Sequence, residues 1–428
     1  MNVLIIGSGG REHAFVWKIK QSPLCEKVFV APGNGGTSEL ATNLDIDTAD
    51  AAAVSKVIKE NSISLVVVGP EVPLVAGLVD DLKADPTLAD LLIVGPGKSG
   101  AILEGSKEFA KDFMMRHGVP TAAAQTFDAS NIEQGYAFLE SIKPPYVLKA
   151  DGLAAGKGVL ITEDIDDAKR SLDDLILKKR FGEASAKVLI EEFLSGIEVS
   201  VFVLTDGKDY VILPEAKDYK RIGDGDTGPN TGGMGAISPV IFADKDFMQR
   251  VELEVVQPTV EGIQKEGMDY AGFIFIGLMN SGGKPKVIEY NVRMGDPETE
   301  VVLPRIKSDL LELLIATARG NLSNYKLEIE PFTAATVVLV AGGYPDAYEK
   351  GKEITFKSPI KSAITFHAGT KYSKGKLVTN GGRVMALTGL GKNLGEALSS
   401  AYGAAEKVQW QDINYRKDIG FDLKNLGQ

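Results

Sequence analysis

The most restrictive feature of this chain is the alternation of short apolar runs with helical patterns over its first hundred residues. Apolar runs spaced by helices are typical of βαβ units, whose parallel strands are buried on both faces. The apolar runs lie at 3–6, 28–31, 65–69 and 91–95, and helical patterns begin at about 11 and cover 51–60 and 73–82. The sequence therefore predicts an α/β fold that opens with a doubly wound parallel sheet.

The rest of the chain is predicted to be mixed α/β, with α+β parts. A helix at 104–117 is followed by a glycine and a proline within 118–121, and then by a small unit at roughly 122–195. Hairpin-like strands are predicted at 199–204, 210–214, 271–279 and 286–291, a polar loop at 218–238, a further strand at 335–341 and a last helix at 393–408.

Composition limits the classes of partner. The chain has 428 residues and a net charge of −11, which argues against nucleic acid or an anionic membrane as the main partner. The single cysteine, Cys25, cannot form an internal disulfide, and the first strand begins at once without a basic leader. No apolar run approaches the ~20 residues that span a bilayer. We therefore expect a cytoplasmic protein, without a His/Cys zinc site.

A strand followed by a small-residue loop occupies the centre of the chain. Lys149 ends an apolar strand, and Lys157 lies in a loop with Gly152, Gly156 and Gly158. Such a backbone can close over an anion and offer its N–H groups, while the ammonium groups supply countercharge. The Walker template does not fit, because three residues separate the first two glycines and a glycine stands where Ser or Thr must hold magnesium. The pattern indicates nucleotide triphosphate binding; the alternative is a flexible surface hairpin.

The turn after the first strand also has the form of a phosphate site. Gly9, Gly10, Arg11 and Glu12 stand at a strand-to-helix junction, where a helix N-terminus can bind an anion. The spacing departs from that of nicotinamide dinucleotide sites, and residues 31–34 lack the acid that such sites need for the ribose. Phosphate binding and a purely structural tight turn both remain open.

Two later segments carry acidic groups. Acidic and apolar residues at 191–198 leave a strand and could serve an adenosine, although this stretch alone favours an ordinary strand end with solvated acids. Further on, strand alternation places Glu289, Asn291 and Arg293 on one face. A carboxylate and an amide oxygen two residues apart make half of a Mg²⁺ site, and the arginine can bind a carboxylate or phosphate. The alternative is the polar outer face of an edge strand.

Together these motifs resemble the phosphoribosylamine–glycine ligase family of the ATP-grasp superfamily. The similar segments run nearly from end to end: 9–14, 31–34, 68–71, 103–107, 149–158, 223–235 and 289–298. The resemblance implies an ATP-grasp domain at 104–326, with 122–195 as a mobile ATP lid. A pre-ATP-grasp domain at 1–103 and a small α/β domain at 327–428 would flank it.

The resemblance also implies the reaction. ATP would phosphorylate glycine to glycyl phosphate, and 5-phosphoribosylamine would attack it, giving glycinamide ribonucleotide, ADP and phosphate in purine biosynthesis. The partners would be these small molecules, with no nucleic acid or membrane, and the chain would be a monomer or weak homodimer. Other ATP-grasp ligases or carboxylases, and a non-catalytic nucleotide-binding protein, are the alternatives.

Residue roles follow from the same resemblance. ATP would contact Lys107, Lys149, Gly152, Gly156, Lys157, Gly158, Glu191, Glu192, Phe193, Leu194 and Glu198. The other substrates would contact Gly9, Gly10, Arg11, Glu12, Pro70, Glu71, Thr231, Gly232, Gly233, Arg293 and Gly295. Mg²⁺ or Mn²⁺ would bind Glu289 and Asn291, and the groups assigned to catalysis are Arg293, Lys149 and Asp218. No general base is expected to be essential.

The chain departs from the family pattern at a few positions. Lys217 stands where the family usually has glutamine, and Met294 where phenylalanine is common. The strand at 271–279 lacks the metal-binding carboxylate that many ATP-grasp enzymes place there, which leaves the number of metal ions open.

Overall fold

The N-terminal part is a parallel sheet covered on both faces. A computed structural model describes residues 1–154 and 157–423. Five strands pair in parallel in the order β3-β2-β1-β4-β5. Alternate residues of β1 pack into two different cores, Leu4 and Ile6 into one and Val3 and Ile5 into the other. The predicted doubly wound sheet is confirmed.

The elements of this part are the strands β1 (Asn2–Gly7), β2 (Lys27–Pro32), β3 (Thr42–Asn43), β4 (Ile63–Val68) and β5 (Leu92–Val94), and the helices α1 (Gly10–Ile19), α2 (Thr37–Leu40), α3 (Ala51–Glu60), α4 (Glu71–Ala76), α5 (Leu78–Ala84) and α6 (Lys98–Gly105), with a 3-10 turn at Pro86–Leu88.

Two predicted helices are each divided in the structure. The helix predicted at 73–82 is α4 and α5, because Gly77 between them has φ 102°, a left-handed conformation that ends the first helix. The helix predicted at 104–117 is α6 and α7 (Lys107–Arg116), because extended Ser106 interrupts it. The Ser106 hydroxyl then caps the second helix by accepting a hydrogen bond from the Phe109 amide at 3.1 Å.

A small unit with its own apolar core follows α7. Four antiparallel strands pair in the order β6-β9-β7-β8. Leu148, Leu172 and Ile190 belong to a core separate from the two others. The elements are β6 (Ala124–Asp128), α8 (Ile132–Ser141), β7 (Tyr146–Ala150), β8 (Val159–Thr162), α9 (Ile165–Ile176), a 3-10 turn at Gly182–Ser185 and β9 (Lys187–Glu191).

An antiparallel sheet forms the centre of the molecule, with strands in the order β11-β10-β16-β17. It consists of β10 (Ile197–Thr205), β11 (Tyr210–Ile212), β16 (Gly272–Ser281) and β17 (Lys284–Asn291). The helices of this part are α10 (Lys245–Val251), a π-helical turn at Glu252–Val256, α11 (Gln257–Lys265), α12 (Thr299–Arg305) and α13 (Leu310–Ala318).

The C-terminal part is organised around a five-stranded sheet in the order β12-β15-β18-β23-β20. These strands are β12 (Lys217–Asp218), β15 (Gly235–Ser238), β18 (Thr333–Val340), β20 (Ala363–His367) and β23 (Arg383–Gly391). The remaining elements are β13 (Arg221–Gly223), β14 (Thr227–Asn230), β19 (Thr355–Phe356), β21 (Thr370–Ser373), β22 (Lys376–Thr379), α14 (Leu394–Ala405) and β24 (Val408–Gln409).

The segment predicted as a polar loop at 218–238 is therefore partly β structure. Its last residues form buried β15, which pairs with β18, so the C-terminal sheet crosses the predicted boundary at 326. Within the described ranges 1–154 and 157–423, no helix combines the length and apolarity needed to cross a membrane.

Candidate active site

Lys149 belongs to a buried triad of charges. Its Nζ lies 2.7 Å from one oxygen of Glu191, and the Nζ of Lys111 lies 3.2 Å from the other. Each of the three side chains is only about 5% exposed. Burial acts to raise the pKa of Glu191, but the two lysines outweigh it and the net pKa is lowered. The Lys149 ammonium also donates to the Ile288 carbonyl of β17 at 3.1 Å, so it links the small unit to the central sheet.

Lys107 holds the start of the small-residue loop. Its ammonium donates to the carbonyls of Asp151 at 3.4 Å and Gly152 at 3.2 Å. The Asp151 carboxylate in turn accepts from the Glu108 amide at 2.8 Å, which anchors the loop to the first turn of α7. Burial lowers the pKa of Lys107, Glu289 acts to raise it and Lys149 to lower it further. Two predicted ATP lysines and one predicted metal ligand thus interact electrostatically.

The other loop residues are placed as follows. Gly152 packs so closely that a Cβ there would lie 2.9 Å from the Ala184 backbone, and Gly158 is buried. Lys157 is exposed, with its Nζ 3.5 Å from the Pro345 carbonyl in the C-terminal part. The predicted contact at Gly156 lies outside the described residues.

The predicted adenosine segment leaves the small unit at the end of β9. Glu192 and Phe193 are exposed and Leu194 is half-buried. Glu198, at the start of β10, pairs with Lys220 at 2.8 Å, and Lys220 lowers the pKa of Glu198. The Glu198 carboxylate therefore already has a cationic partner.

Arg293 connects three parts of the site. Its guanidinium donates to Glu71 at 3.2 Å, to Glu104 at 3.0 Å and to the Asn291 side-chain oxygen at 3.0 Å. The other Glu104 oxygen accepts from the Val292 amide at 2.7 Å. The predicted pairing of residues 291 and 293 on one face agrees with this geometry, and most of the guanidinium donors are occupied by the protein.

Glu104 was not singled out as a site residue from the sequence. It is buried at the end of α6, and burial raises its pKa while Arg293 acts to lower it. Glu71, which follows Pro70 at the start of α4, has a lowered pKa because Arg293 outweighs its burial. Both acids lie far from Arg293 in sequence, so no local spacing could have indicated the cluster.

The N-terminal glycine turn faces carboxylates. The Gly9 amide donates to Glu12 at 2.6 Å, and the Arg11 amide donates to Asp296 at 3.2 Å. The Arg11 guanidinium bonds Glu12 at 2.6 Å and the Met294 carbonyl at 3.1 Å. A phosphate bound at these two amides would have to displace a carboxylate, so this geometry favours the structural turn at those positions.

An acidic cluster surrounds Lys220. Burial raises the pKa of Asp218, while Lys220 acts to lower it and Glu198 to raise it. Burial and the Asp218 charge together raise the pKa of Glu298 to about 8. Lys220 has a raised pKa despite its burial, because Glu198, Asp218 and Glu289 stabilise its charge. This arrangement carries more negative than positive groups and can accept a further cation.

The loop carrying Thr231, Gly232 and Gly233 is held from both sides. The Thr231 amide donates to the Lys220 carbonyl at 2.7 Å, and the Gly233 amide to the Thr231 hydroxyl at 2.9 Å. The Gly232 amide donates to the Tyr344 hydroxyl at 3.0 Å.

Arg383 joins this loop to the turn at Gly295. Its guanidinium donates to the Gly232 carbonyl at 2.6 Å and lies 3.1 Å from the Asp296 carboxylate. Gly295 is buried, and its carbonyl accepts from the Thr299 amide at 3.3 Å. The sequence gave no sign that Arg383 contacts Asp296, which lies 87 residues earlier in the chain.

The chain is similar to known proteins over nearly its whole length. Family models of phosphoribosylglycinamide synthetase match residues 1–104 (N domain), 105–299 (ATP-grasp domain) and 334–422 (C domain). A phosphoribosylamine–glycine ligase of Agrobacterium fabrum is 47% identical over 422 residues, 98% of each chain. The crystal structure of phosphoribosylamine–glycine ligase from Thermotoga maritima has a TM-score of 0.84 at 39% identity, covering 98% of this chain and all of that one.

A more distant structure shares the fold alone. It is the biotin carboxylase domain of the Hydrogenobacter thermophilus 2-oxoglutarate carboxylase, in complex with MgADP and bicarbonate. Its TM-score is 0.74 at 16% identity, covering 96% of this chain and 91% of that one.

The fold and the matched domains define an ATP-grasp ligase, an enzyme that acts on small molecules with ATP. The predicted fold and enzyme class are confirmed. The chain belongs to the phosphoribosylamine–glycine ligase family of purine biosynthesis, as the resemblance predicted.

Glu300 stands out as a buried carboxyl without compensation. It is 1% exposed, and within the described part of the chain neither of its oxygens has a hydrogen-bond partner. One oxygen points at Gly10, where a Cβ would clash with it. Burial and the neighbouring Asp296 raise its pKa well above the ordinary range, although Arg383 acts to lower it.

We expect Glu300→Gln to stabilise the protein in a pH-dependent way. A pKa raised in the folded state means that stability falls as pH rises above the unfolded value of about 4.3. The gain in unfolding free energy should reach about 1–3 kcal/mol at pH 8 and shrink towards pH 5. Urea denaturation at both pH values measures it.

The matched control is Glu328→Gln, which alters an exposed carboxylate paired with Lys307 and should change stability by less than about 0.5 kcal/mol. An equal effect of Glu300→Gln at both pH values would show that Glu300 carries its charge in the folded protein.

Proposed function

We propose that this chain joins glycine to 5-phosphoribosylamine through glycyl phosphate, releasing ADP, phosphate and glycinamide ribonucleotide. One observation about the active-site residues supports this proposal. The Glu289 carboxylate acts on the pKa of both Lys107, on the ATP side, and Lys220, on the acidic side. Phosphoryl donor and amino acid would therefore meet around one strand end.

On the ATP side, Lys107 and Lys149 neutralise the phosphates while the small-residue loop closes over them. A carboxylate is a poor acyl donor until it is phosphorylated, so the protein mainly has to align the two reactants and stabilise charge. Lys149 already holds Glu191 and the Ile288 carbonyl, which fixes the position of its ammonium group.

On the amino-acid side, the acidic cluster around Lys220 suits the ammonium group of glycine. Asp218 and Glu298 each have a raised pKa, because burial and neighbouring carboxylates disfavour their charged forms. A bound ammonium group would stabilise the charged forms. Arg293 orients the reacting carboxyl from the opposite side with the donor capacity that remains. The phosphoribosyl group would lie near Glu71 and the α1 turn, without using the Gly9 and Arg11 amides, which already donate to carboxylates.

Glu289 and Asn291 fit a magnesium or manganese ion as a partial ligand set. Both side chains carry oxygen atoms on the same face of β17, but the Asn291 oxygen accepts from the Arg293 guanidinium at 3.0 Å, so an ion at Asn291 would have to displace that bond. No group of three or more His, Cys, Asp or Glu residues suited to a metal occurs in the described ranges 1–154 and 157–423. Water and nucleotide phosphates would complete the shell, as Mg²⁺ prefers. The bound ion would neutralise charge on the phosphates.

We also infer that the enzyme is cytoplasmic and a monomer or weak homodimer, with the domain boundaries and the 122–195 lid given above. The separate core of the small unit supports a lid that moves as a body.

The reaction itself is tested by ADP release. Glycine with phosphoribosylamine should support ADP formation, while bicarbonate should not. ADP formed with bicarbonate alone would instead indicate a carboxylase, and no ADP with any acid and amine would indicate a binding protein.

Lys149→Met should weaken ATP binding by about tenfold or more, since a phosphate countercharge is lost. Lys111→Met is the matched variant, because it removes the other lysine of the same buried triad. Nucleotide titration calorimetry should show a smaller loss for it, at similar thermal stability. Equal losses in the two variants would mean that Lys149 acts only through the fold.

Glu289→Gln should raise the Mg²⁺ concentration needed for half-maximal activity by about tenfold, because a charged ligand becomes neutral. Titrating activity with magnesium at saturating ATP measures the shift. Exposed Glu353→Gln, which alters a surface pair with Lys376, should leave the titration unchanged. Identical magnesium curves for Glu289→Gln and the wild type would remove Glu289 from the metal site.

A further inference from the structure

The last described residues form a strap behind the substrate loops. This C-terminal strap, residues 414–423, is anchored to β18 at Asn414, whose amide donates to the Val340 carbonyl at 3.0 Å while its carbonyl accepts from the Val340 amide at 2.8 Å. From there it runs against the β12–β15 loop, residues 219–234. That loop carries Lys220 and the Thr231 segment described above.

Arg416 is the centre of the contact. Its side chain is fully buried, and its Nε and Nη2 bind the two oxygens of Asp418 at 2.8 and 3.0 Å. Its Nη1 donates to the Asp226 carboxylate at 2.5 Å and to the Arg221 carbonyl at 3.2 Å. One guanidinium thus joins the strap to strand β13 and to the turn that precedes β14.

Aromatic contacts bring the same guanidinium next to the acidic cluster. Arg416 lies 5.4 Å from the ring centre of Tyr219 and 5.7 Å from that of Phe421. The Tyr219 hydroxyl donates to Asp422 of the strap at 2.8 Å. Tyr219 lies between Asp218 and Lys220 in sequence, so the strap holds the residue that separates the two.

Hydrogen bonds between backbone amides and aspartate side chains also connect the strap to the turn of the hairpin. The Gly225 amide donates to Asp418 at 2.7 Å, and the Lys417 amide donates to Asp224 at 2.9 Å. Asp226 has a φ of 53°, in the left-handed region that Asp and Asn enter more readily than other residues with side chains. Its ion pair with Arg416 adds a further restraint on this conformation.

The hairpin is packed on one side only. Ile222 of β13 packs against one of the main cores, whereas all four residues of β14 are exposed. Polar contacts with the strap therefore add to the β13–β14 pairing in holding β14 and the turn, while the other end of the loop presents Lys220 to Glu198 at 2.8 Å.

We propose that Arg416 is a positioning residue for the amino-acid side of the active site, and that it acts through the β12–β15 loop. The proposal rests on the proposed function, because it takes Asp218 and Lys220 to face glycine. It predicts that weakening the strap impairs the use of glycine more than the use of ATP, since the ATP lysines lie on α7 and in the separate small unit and the loop reaches the predicted ATP contacts only through the pair of Lys220 with Glu198.

The test uses the full-length protein with Arg416→Lys and Asp226→Asn. Lysine keeps the charge but cannot make the bidentate bond to Asp418. Asparagine tolerates a left-handed φ well, so Asp226→Asn removes the charge without disturbing the turn. Lys376→Ala, which breaks an exposed surface pair with Glu353, is the control. Steady-state kinetics gives KM for glycine and for ATP, and hydrogen exchange reports on residues 221–230 and 146–150.

We expect KM for glycine to rise about tenfold in Arg416→Lys and by a smaller factor in Asp226→Asn, with KM for ATP changed less than about twofold. Exchange should accelerate at 221–230 and stay unchanged at 146–150. If Arg416→Lys fails to fold, the KM values and exchange rates of Asp226→Asn test the proposal. Unchanged glycine KM, or a parallel rise for glycine and ATP, overturns the proposal. If the wild-type protein formed ADP without glycine, the proposed function would be refuted instead. Hydrogen exchange at 221–230 would then still test whether the strap holds the β12–β15 loop.

Discussion

The arrangement of the site depends on the Arg293 guanidinium and the acids around it. Glu71 comes from the N-terminal part, Glu104 from the helix that leaves it, and Asn291 from the central sheet. Removing the arginine would leave buried acids unpaired, which is far more costly than losing a surface ion pair. Arg293, which is predicted to be catalytic, therefore also connects the N-terminal parallel sheet to the strands of the central sheet.

The uneven distribution of charge also explains why a chain with a net negative charge can bind polyphosphate. A net charge of −11 is dispersed over the surface, whereas Lys149 and Lys111 share one buried carboxylate and keep excess positive charge at the loop. On the opposite side of Glu289 acidic groups outnumber basic ones, because Asp218, Glu198 and Glu298 surround Lys220. An anionic substrate and an ammonium group would thus be drawn to different ends of one cleft.

Local periodicity predicted most of the framework from the sequence. The parallel strands, and the common face of residues 289, 291 and 293, follow from short-range patterns that have a fixed structural meaning. What could not be predicted depends on distant partners. Strand β15 looked like a polar loop because its pairing with β18 lies about a hundred residues further on, and Arg416 gave no local sign of its bond to Asp226. The N-terminal turn shows the converse problem: its glycines suit phosphate, but Asp296 comes from far along the chain to bind the Arg11 amide.

The small unit shows how one lysine can serve both structure and motion. Its core is separate, so the unit can shift without opening the other cores. Yet Lys149 donates to the Ile288 carbonyl of the central sheet, and Lys107 from α7 holds the Gly152 carbonyl. These bonds lie where the proposed lid joins the rest of the protein, close to the proposed position of the ATP phosphates. A nucleotide that bound either ammonium group would therefore compete with them. If the small unit is the lid proposed above, binding of ATP and movement of the lid would be coupled through the same two charges, which requires no contact beyond those in the site.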